Sequence, residues 1–247
     1  MIRAATIIDD RQPALQRLAA LAPLDAEVIE TIVAASAQAQ TIRARRELVS
    51  EGREIAEPLL LLRGWAARVR LLPDGRRQFL SFLLPGDVVG HCPQPRPVAV
   101  ATIVALTDVL VCAAPPAAAG SALRTVYAVG DALDQAYVLA QVTRLGRLNA
   151  QERIGDLLLE LHERLTLNGM ARGTSFDLPL TQETLADALG LTSVHVNRMV
   201  QQARRENDLQ WKGGRVTLID PPALARKIGR VPVRVSATVG PQPARVR

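Results

Sequence analysis

Leu180-Thr-Gln-Glu-Thr-Leu-Ala-Asp-Ala-Leu-Gly-Leu-Thr-Ser-Val-His-Val-Asn-Arg198 is the stretch that decides the fold of this 247-residue chain. Thr181 is placed to cap a first helix, with Thr184 the less favoured alternative. Leu185, Ala188 and Leu189 give that helix a buried face. Gly190 stands where a left-handed residue is wanted to end it. Thr192 then caps a second helix carrying Val194, Val196, Met199 and Val200. Two short helices joined by a glycine turn make a helix-turn-helix. Just downstream, Leu209-Gln-Trp211, Lys212-Gly-Gly214 and Arg215-Val-Thr-Leu-Ile219 read as strand, turn and strand, the hairpin of a wing.

The second helix carries the chemistry. Val196 and Met199 must point inward to pack, so Ser193, His195, Asn197 and Arg198 fall mainly outward near the helix N-terminus. That end reaches base edges in a major groove. Arg198 suits guanine or a phosphate, and Asn197 suits adenine or a phosphate. Thr181, Gln182, Thr192, Lys212 and Arg215 are candidate phosphate contacts. For each of them the bland alternative is an ordinary exposed polar side chain.

Charge placement supports this. The chain holds 30 Lys+Arg against 24 Asp+Glu, a net of +6. Residues 1–195 carry 19 basic and 21 acidic side chains, whereas residues 196–247 carry 11 and 3. The whole basic excess lies at the C-terminal end, where it attracts phosphate through counterion release. Aromatics are 3% of residues, too few for stacking on single-stranded bases, so duplex DNA is the expected partner.

Upstream the pattern changes three times. Gln12 to Gln38 reads as two short helices broken at Pro23, with Asp25 as N-cap. Ile42 to Cys112 consists of short apolar runs cut by glycine: Leu59–Leu62, Trp65–Leu72, Gln78–Leu83 and Val98–Leu106. Asp74-Gly75 is a hairpin turn signal, and strands at this spacing imply an antiparallel barrel or sandwich. Ala117 to Leu148 is helical again. Val126, Val129, Leu133, Ala136 and Ala140 recur at three and four residues, a seam that fits a dimer interface or a helix lying on its own β-domain. Asn149-Ala-Gln-Glu152 is a capping-box start for a further helix. The predicted division is therefore 1–116 an antiparallel β-domain, 117–148 a long helix, 149–229 a winged helix-turn-helix, and 230–247 a disordered basic tail. The fold class is α+β.

With 48% hydrophobic residues the chain has ample material for a core. No apolar run approaches the roughly 20 residues of a membrane span, and no signal peptide is read. Two cysteines, Cys92 and Cys112, fit a reducing cytoplasm. No Ser/His/Asp array, P-loop or carboxylate pair is visible, so no enzyme is expected.

The stretch Leu180–Arg198 resembles the Crp/Fnr family of bacterial transcription regulators. Glu51-Gly52, Leu62-Arg-Gly64, Asp74-Gly75 and Leu84-Pro-Gly-Asp-Val-Val-Gly90 are similar to that family's cyclic-nucleotide-binding β-roll. The resemblance covers almost the whole chain. It makes residues 1–116 a β-roll sensor and 117–148 a dimerisation helix. It implies a homodimer joined along the central helix, with two recognition helices in successive major grooves of a palindromic operator. RNA polymerase is a further candidate partner.

It also marks departures. His91 stands where the family's nucleotide binders carry Glu, and Pro97-Val98 where they carry Arg-Ser. An apolar pair cannot neutralise a cyclic phosphate. The positions that meet adenine fall near Val138 and Leu139, and Val194 replaces a glutamate common in the recognition helix. A cyclic nucleotide is therefore not expected, and the effector pocket is assigned to Gly86, Asp87, Gly90, His91, Arg96 and Val98. His91-Cys92 invites haem or a metal, as in haem-binding members, but adjacent residues on an extended loop point apart. A plain loop histidine and no metal is the expectation. The alternative function is a sensing module whose C-terminal domain is a protein-interaction surface.

Overall fold

The computed structural model describes residues 2–92 and 94–235, with side chains from Gln12 onward. Two helices open the chain, α1 (Ile2–Leu21) and α2 (Ala26–Ser36). Asp25 caps α2 by accepting from the Val28 amide at 2.8 Å.

Eight short strands follow: β1 (Gln40–Ile42), β2 (Glu47–Val49), β3 (Leu59–Arg63), β4 (Ala66–Leu71), β5 (Arg77–Leu83), β6 (Val88–Val89), β7 (Thr102–Ala105) and β8 (Val109–Ala113). They pair antiparallel in two four-stranded sheets, β1-β8-β3-β6 and β2-β7-β4-β5. Leu61, Ala66, Leu83, Val89, Ile103, Ala105, Val109 and Val111 fill the roll between them. The Asp74-Gly75 turn joins β4 to β5, as its sequence predicts. The run expected from Val98 to Leu106 is a strand only at Thr102–Ala105, and Val98 makes an isolated bridge to Glu54. The stretch before Thr102 pairs instead with the loop ahead of β3: the Ala99 amide donates to the Arg53 carbonyl, and the Gly52 and Ile55 amides donate to the carbonyls of Ala99 and Pro97.

Helix α3 (Ala122–Arg147) starts at Ser121, which accepts from the Arg124 amide. The proposed seam is corrected here. Val126 and Leu133 are buried against the chain's own α1 and roll, with Leu18, Leu60 and Leu62. Val129, Ala136 and Ala140 are half-buried. The three-and-four spacing marked the side facing the roll. The outward stripe lies beside it, at Ala128, Ala132, Gln135, Leu139 and Val142, with the last two apolar side chains 60% and 63% exposed.

The C-terminal part holds α4 (Ala150–Leu167), β9 (Ser175–Asp177), α5 (Gln182–Leu189), α6 (Ser193–Arg205), β10 (Leu209–Lys212), β11 (Arg215–Leu218) and α7 (Pro221–Lys227). Asn149 and Glu152 form the capping box of α4. The wing hairpin gains a third strand, β9, too short to be legible in the sequence.

The roll and the C-terminal part share one core, in which Trp65, Phe79 and Phe82 pack with Leu158, Leu161 and Leu185. Through it runs a chain of buried charges. Arg164 of α4 donates to Asp87 in the β5–β6 turn (2.7 Å) and to the Phe82 carbonyl (2.9 Å). Arg144 of α3 pairs with Asp156 and Glu160 of α4 at 2.7 and 2.6 Å. Arg230 pairs with Asp156 and Glu163 at 3.1 and 2.9 Å, its side chain 3% exposed. Part of the expected disordered tail is thereby corrected: Arg230 is anchored on α4, and Val233 and Val235 pack on the α1–α3 cluster. A cation facing two carboxylates of α4 has a reason to stay. The remainder, 236–247, lies outside the described residues.

Burial, reinforced by Glu160 and Asp156 and opposed by Arg230, pushes Glu163 from 4.5 up to about 7. Below pH 4.5 both folded and unfolded chains hold this proton. Between the two values only the folded protein does, so this group's contribution to stability falls as pH rises and levels off above about 7. Glu163→Gln keeps an acceptor for Arg230 and cannot titrate. Urea unfolding across that window should show a flatter pH slope in the variant than in the wild type.

Candidate functional site

Helix α6 has one buried stripe, Val196, Val200 and Ala203, set by its three-and-four spacing. The opposite stripe is Val194, Asn197, Arg198 and Gln201, all exposed. Ser193 and His195 lie half-buried on its flanks, so the outward set expected from the sequence is partly corrected. Val194, read from the sequence among the helix's apolar residues, is 81% exposed and takes the most outward place at the N-terminal end. Its two-residue offset from Val196 was the signal: on a helix that offset faces away from the core.

The entry geometry is tightly set. Gly190 ends α5 at φ +64°, and Thr192 accepts from the His195 amide at 3.2 Å. Thr181 accepts from the Thr184 amide at 3.0 Å. Both threonine hydroxyls thus cap helices, and both residues remain exposed. Gln182 and Lys212 are exposed as well. Arg215 is exposed but paired with Asp177 at 2.8 Å, which holds that carboxyl below its usual range.

Contacts with the roll and with α3 hold α5 in place. Arg77 of β5 pairs with Asp187 and Glu183 at 2.7 and 3.0 Å. Gln141 of α3 donates to the Ala188 carbonyl at 2.6 Å. Arg153 donates to the carbonyls of Leu145, Leu148 and Leu189, each within 2.9 Å. One guanidinium therefore holds together the end of α3, the linker and the end of α5. Sequence reasoning found none of these residues, because each acts on a backbone carbonyl or on a residue distant in the chain.

A second feature is a cavity of about 490 Å³ at one side of the roll. Gly90, His91, Arg96 and Val98 line it, with Arg68 and Ile55 among their neighbours. Gly86 and Asp87 do not, which corrects that part of the expected pocket. Gly86, at φ +94°, lies under α1, where a Cβ would come within 2.5 Å of the Arg17 side chain. Asp87 accepts from the Leu84 amide and from Arg164, so its charge serves the core. Arg96 is mostly exposed and bound to Glu54 at 2.8 Å. His91 Nδ1 is 2.8 Å from Asp131 of α3, with its ring against Tyr127. Cys92 is exposed and Cys112 buried. Among the described residues no group of three or more His, Cys, Asp or Glu could hold a metal ion. No helix among them is long and apolar enough to cross a membrane.

A roll with a walled cavity, tied by a long helix to a winged helix-turn-helix with an exposed helix face, is the architecture of a DNA-binding regulator. Comparison with known proteins carries this further. Residues 39–126 match the cyclic nucleotide-binding domain family and residues 152–227 the Crp-like helix-turn-helix domain family. The transcriptional activatory protein AadR of Rhodopseudomonas palustris is 32% identical over 214 residues, covering 81% of this chain and 84% of that protein. The transcriptional activator protein FnrL of Cereibacter sphaeroides is 34% identical over 167 residues, 63% of this chain and 66% of that protein. Among solved structures, FixK2 from Bradyrhizobium japonicum superposes with a TM-score of 0.66 at 28% identity, covering 76% of this chain and 96% of that one. A CRP-family regulator from Thermus thermophilus gives 0.62 at 27% identity, covering 77% and 97%. The chain belongs to the Crp/Fnr family of transcription regulators.

Replacing Arg153 by Leu leaves three carbonyls at the linker without their donor. The expected loss is roughly 1–3 kcal/mol in urea unfolding. Faster hydrogen exchange around residues 145–153 and 189 should accompany it.

Proposed function

We propose that the chain acts as a homodimer on a palindromic duplex operator, one α6 entering each of two successive major grooves roughly 34 Å apart. The observation that carries this is the open stripe Val194, Asn197, Arg198 and Gln201 opposite a fully packed one on α6. Arg198 and Asn197 read bases, with Ser193 and His195 at the edges of the contact. Thr181, Gln182, Thr192, Lys212 and Arg215 meet phosphates, Arg215 by exchanging Asp177 for a phosphate oxygen. The dimer forms along Ala128, Ala132, Leu139 and Val142, whose small and apolar exposed side chains recur at heptad spacing. The cavity at Gly90, His91, Arg96 and Val98 receives an effector other than a cyclic nucleotide. Likeness to AadR and FnrL, both named activators, supports activation with RNA polymerase as partner.

Val194 adds a specificity element. An exposed valine at the reading end suits the C5-methyl of thymine. Selection of bound sequences from random DNA, followed by replacement of each half-site thymine with deoxyuridine, tests it. One replacement should weaken wild-type binding, and Val194→Ala should abolish that difference. Arg198→Ala should cost about 1–3 kcal/mol and relax one base position. No sequence preference in the selection would sink the regulator assignment at this helix. For the dimer, Leu139→Glu should sediment as a folded monomer, whereas Leu133→Glu should unfold, because Leu133 lies in the protomer's own core.

A further inference from the structure

The roll cavity has a particular chemistry. Its walls are mainly aliphatic, from Ile55, Val89 and Ile103 inside to Val98 and Val100 at the mouth, where these last two are 56% and 75% exposed. Among the described residues no acidic side chain lines it, while Arg68, His91 and Arg96 do. Arg96 points its charge to solvent and Glu54. Arg68 is the sheltered cation, its side chain 17% exposed. It is held from behind by Ser81 of β5 at 2.8 Å and by Asp134 of α3 at 2.8 Å. His91 is likewise held by Asp131, one helical turn before Asp134. Both Arg68 and His91 are therefore tied to carboxylates on the same face of α3.

We propose that this cavity binds a small aliphatic or aromatic carboxylic acid as its anion, with the carboxylate on Arg68 in competition with Asp134 and the apolar body against the valine and isoleucine walls. The inference rests on the roll being the effector-binding part of the molecule, and it names the class of effector. Apolar walls select an apolar body. A lone sheltered guanidinium, with no carboxylate in the wall, selects a single planar anion that can take two of its N–H groups. A volume of about 490 Å³ suits a molecule of one ring or a short chain. Competition follows from the geometry: Asp134 engages both terminal nitrogens of the guanidinium, at 3.0 Å from Nη1 and 2.8 Å from Nη2, the pair that a bound carboxylate would take. A bound carboxylate frees Asp134, a half-buried residue of α3 next to Gln135 of the outward stripe. Ligand occupancy is thereby coupled to the helix that sets the spacing of the two reading heads.

The test is calorimetric titration of the full-length protein with benzoate, phenylacetate and hexanoate, with benzamide and cyclic AMP as comparisons. Saturable binding of at least one of the three acids is expected, with the amide weaker by about tenfold or more. Arg68→Gln should weaken acid binding by a similar factor. Asp134→Asn should tighten it several-fold, because a competitor is removed. Opposite signs in the two variants cannot come from general loosening, and the Asp134→Asn arm stands even if Arg68→Gln fails to fold. Equal binding of acid and amide, weakening in Asp134→Asn, preference for cyclic AMP, or no binding of any acid would each overturn the proposal. Sequence selection on the same proteins is independent of these outcomes, so loss of the ligand proposal and loss of the DNA-binding one are distinguishable.

Discussion

Arg164 is the contact on which the arrangement of the molecule turns. Its side chain is 4% exposed and meets three parts of the chain: Asp87 and the Phe82 carbonyl of the roll, Glu160 of α4, and the face of Tyr137 on α3. Burying a guanidinium costs several kcal/mol, which only well-aimed partners offset, and removing one partner alone costs about 3–5 kcal/mol. Such a group tolerates few positions. Asp87 is itself fixed by the Leu84 amide, so the register of α4 against the roll follows from a turn of four residues, Leu84-Pro-Gly-Asp. Gly86 is required there, since its left-handed φ and the nearness of Arg17 leave no room for a side chain. Arg144 repeats the device one layer further along α4, and Arg230 closes it from the C-terminal side.

This charge chain explains why the roll and the DNA-binding part share a core instead of hanging from a free linker. It also sets the terms on which they can move. Arg17 Nη1 and Arg164 Nε are buried without a protein partner, so the network is not fully satisfied. Arg153 at the linker and Arg77 on β5 add exposed or half-exposed contacts that are cheaper to break. The molecule thus has a stiff joint at Arg164 and softer ones at both ends of α5, a graded arrangement suited to a two-state regulator.

Local signals in the sequence were sufficient for the C-terminal half and misleading for α3. Thr181, Gly190, Thr192 and the Gly213-Gly214 turn each act within four residues, so the helix-turn-helix and wing were legible at their true boundaries. Periodicity found the α3 helix, but periodicity alone does not say which neighbour a stripe faces. Val126 and Leu133 were the more hydrophobic choice, and the more hydrophobic stripe went to the roll, the nearer and larger apolar surface. The outward stripe, built on alanines and glutamine with only Leu139 and Val142 strongly apolar, was masked by that contrast. The same blindness to distance hid Arg164, Arg144 and Arg153. An arginine in a helix reads as a solvated face until its long-range partner is known. In the pocket, Gly90, His91, Arg96 and Val98 were found from their loop, while Arg68 was missed because it sits on a strand that reads as structural.

The basic C-terminal end also changes its meaning. Counting charges suggested a broad electrostatic footprint for DNA. The structure spends several of those cations internally: Lys227 on Glu206 and Asp208, Arg215 on Asp177, and Arg230 on Asp156 and Glu163. Lys227, with Gln202 and Gln151, draws Glu206 down to about 2, so that carboxylate stays charged across the physiological range and keeps its cation. Arg198 and Lys212 stand outward from the winged helix-turn-helix, on α6 and in the wing, where a duplex would lie. A small number of well-placed cations gives a shallower dependence of binding on salt than the raw excess implies, because each neutralised phosphate contributes its own increment. On the reading proposed above, discrimination rests less on general attraction to the backbone than on contacts at Val194, Asn197 and Arg198, which is the balance a sequence reader requires and a non-specific DNA-coating protein does not.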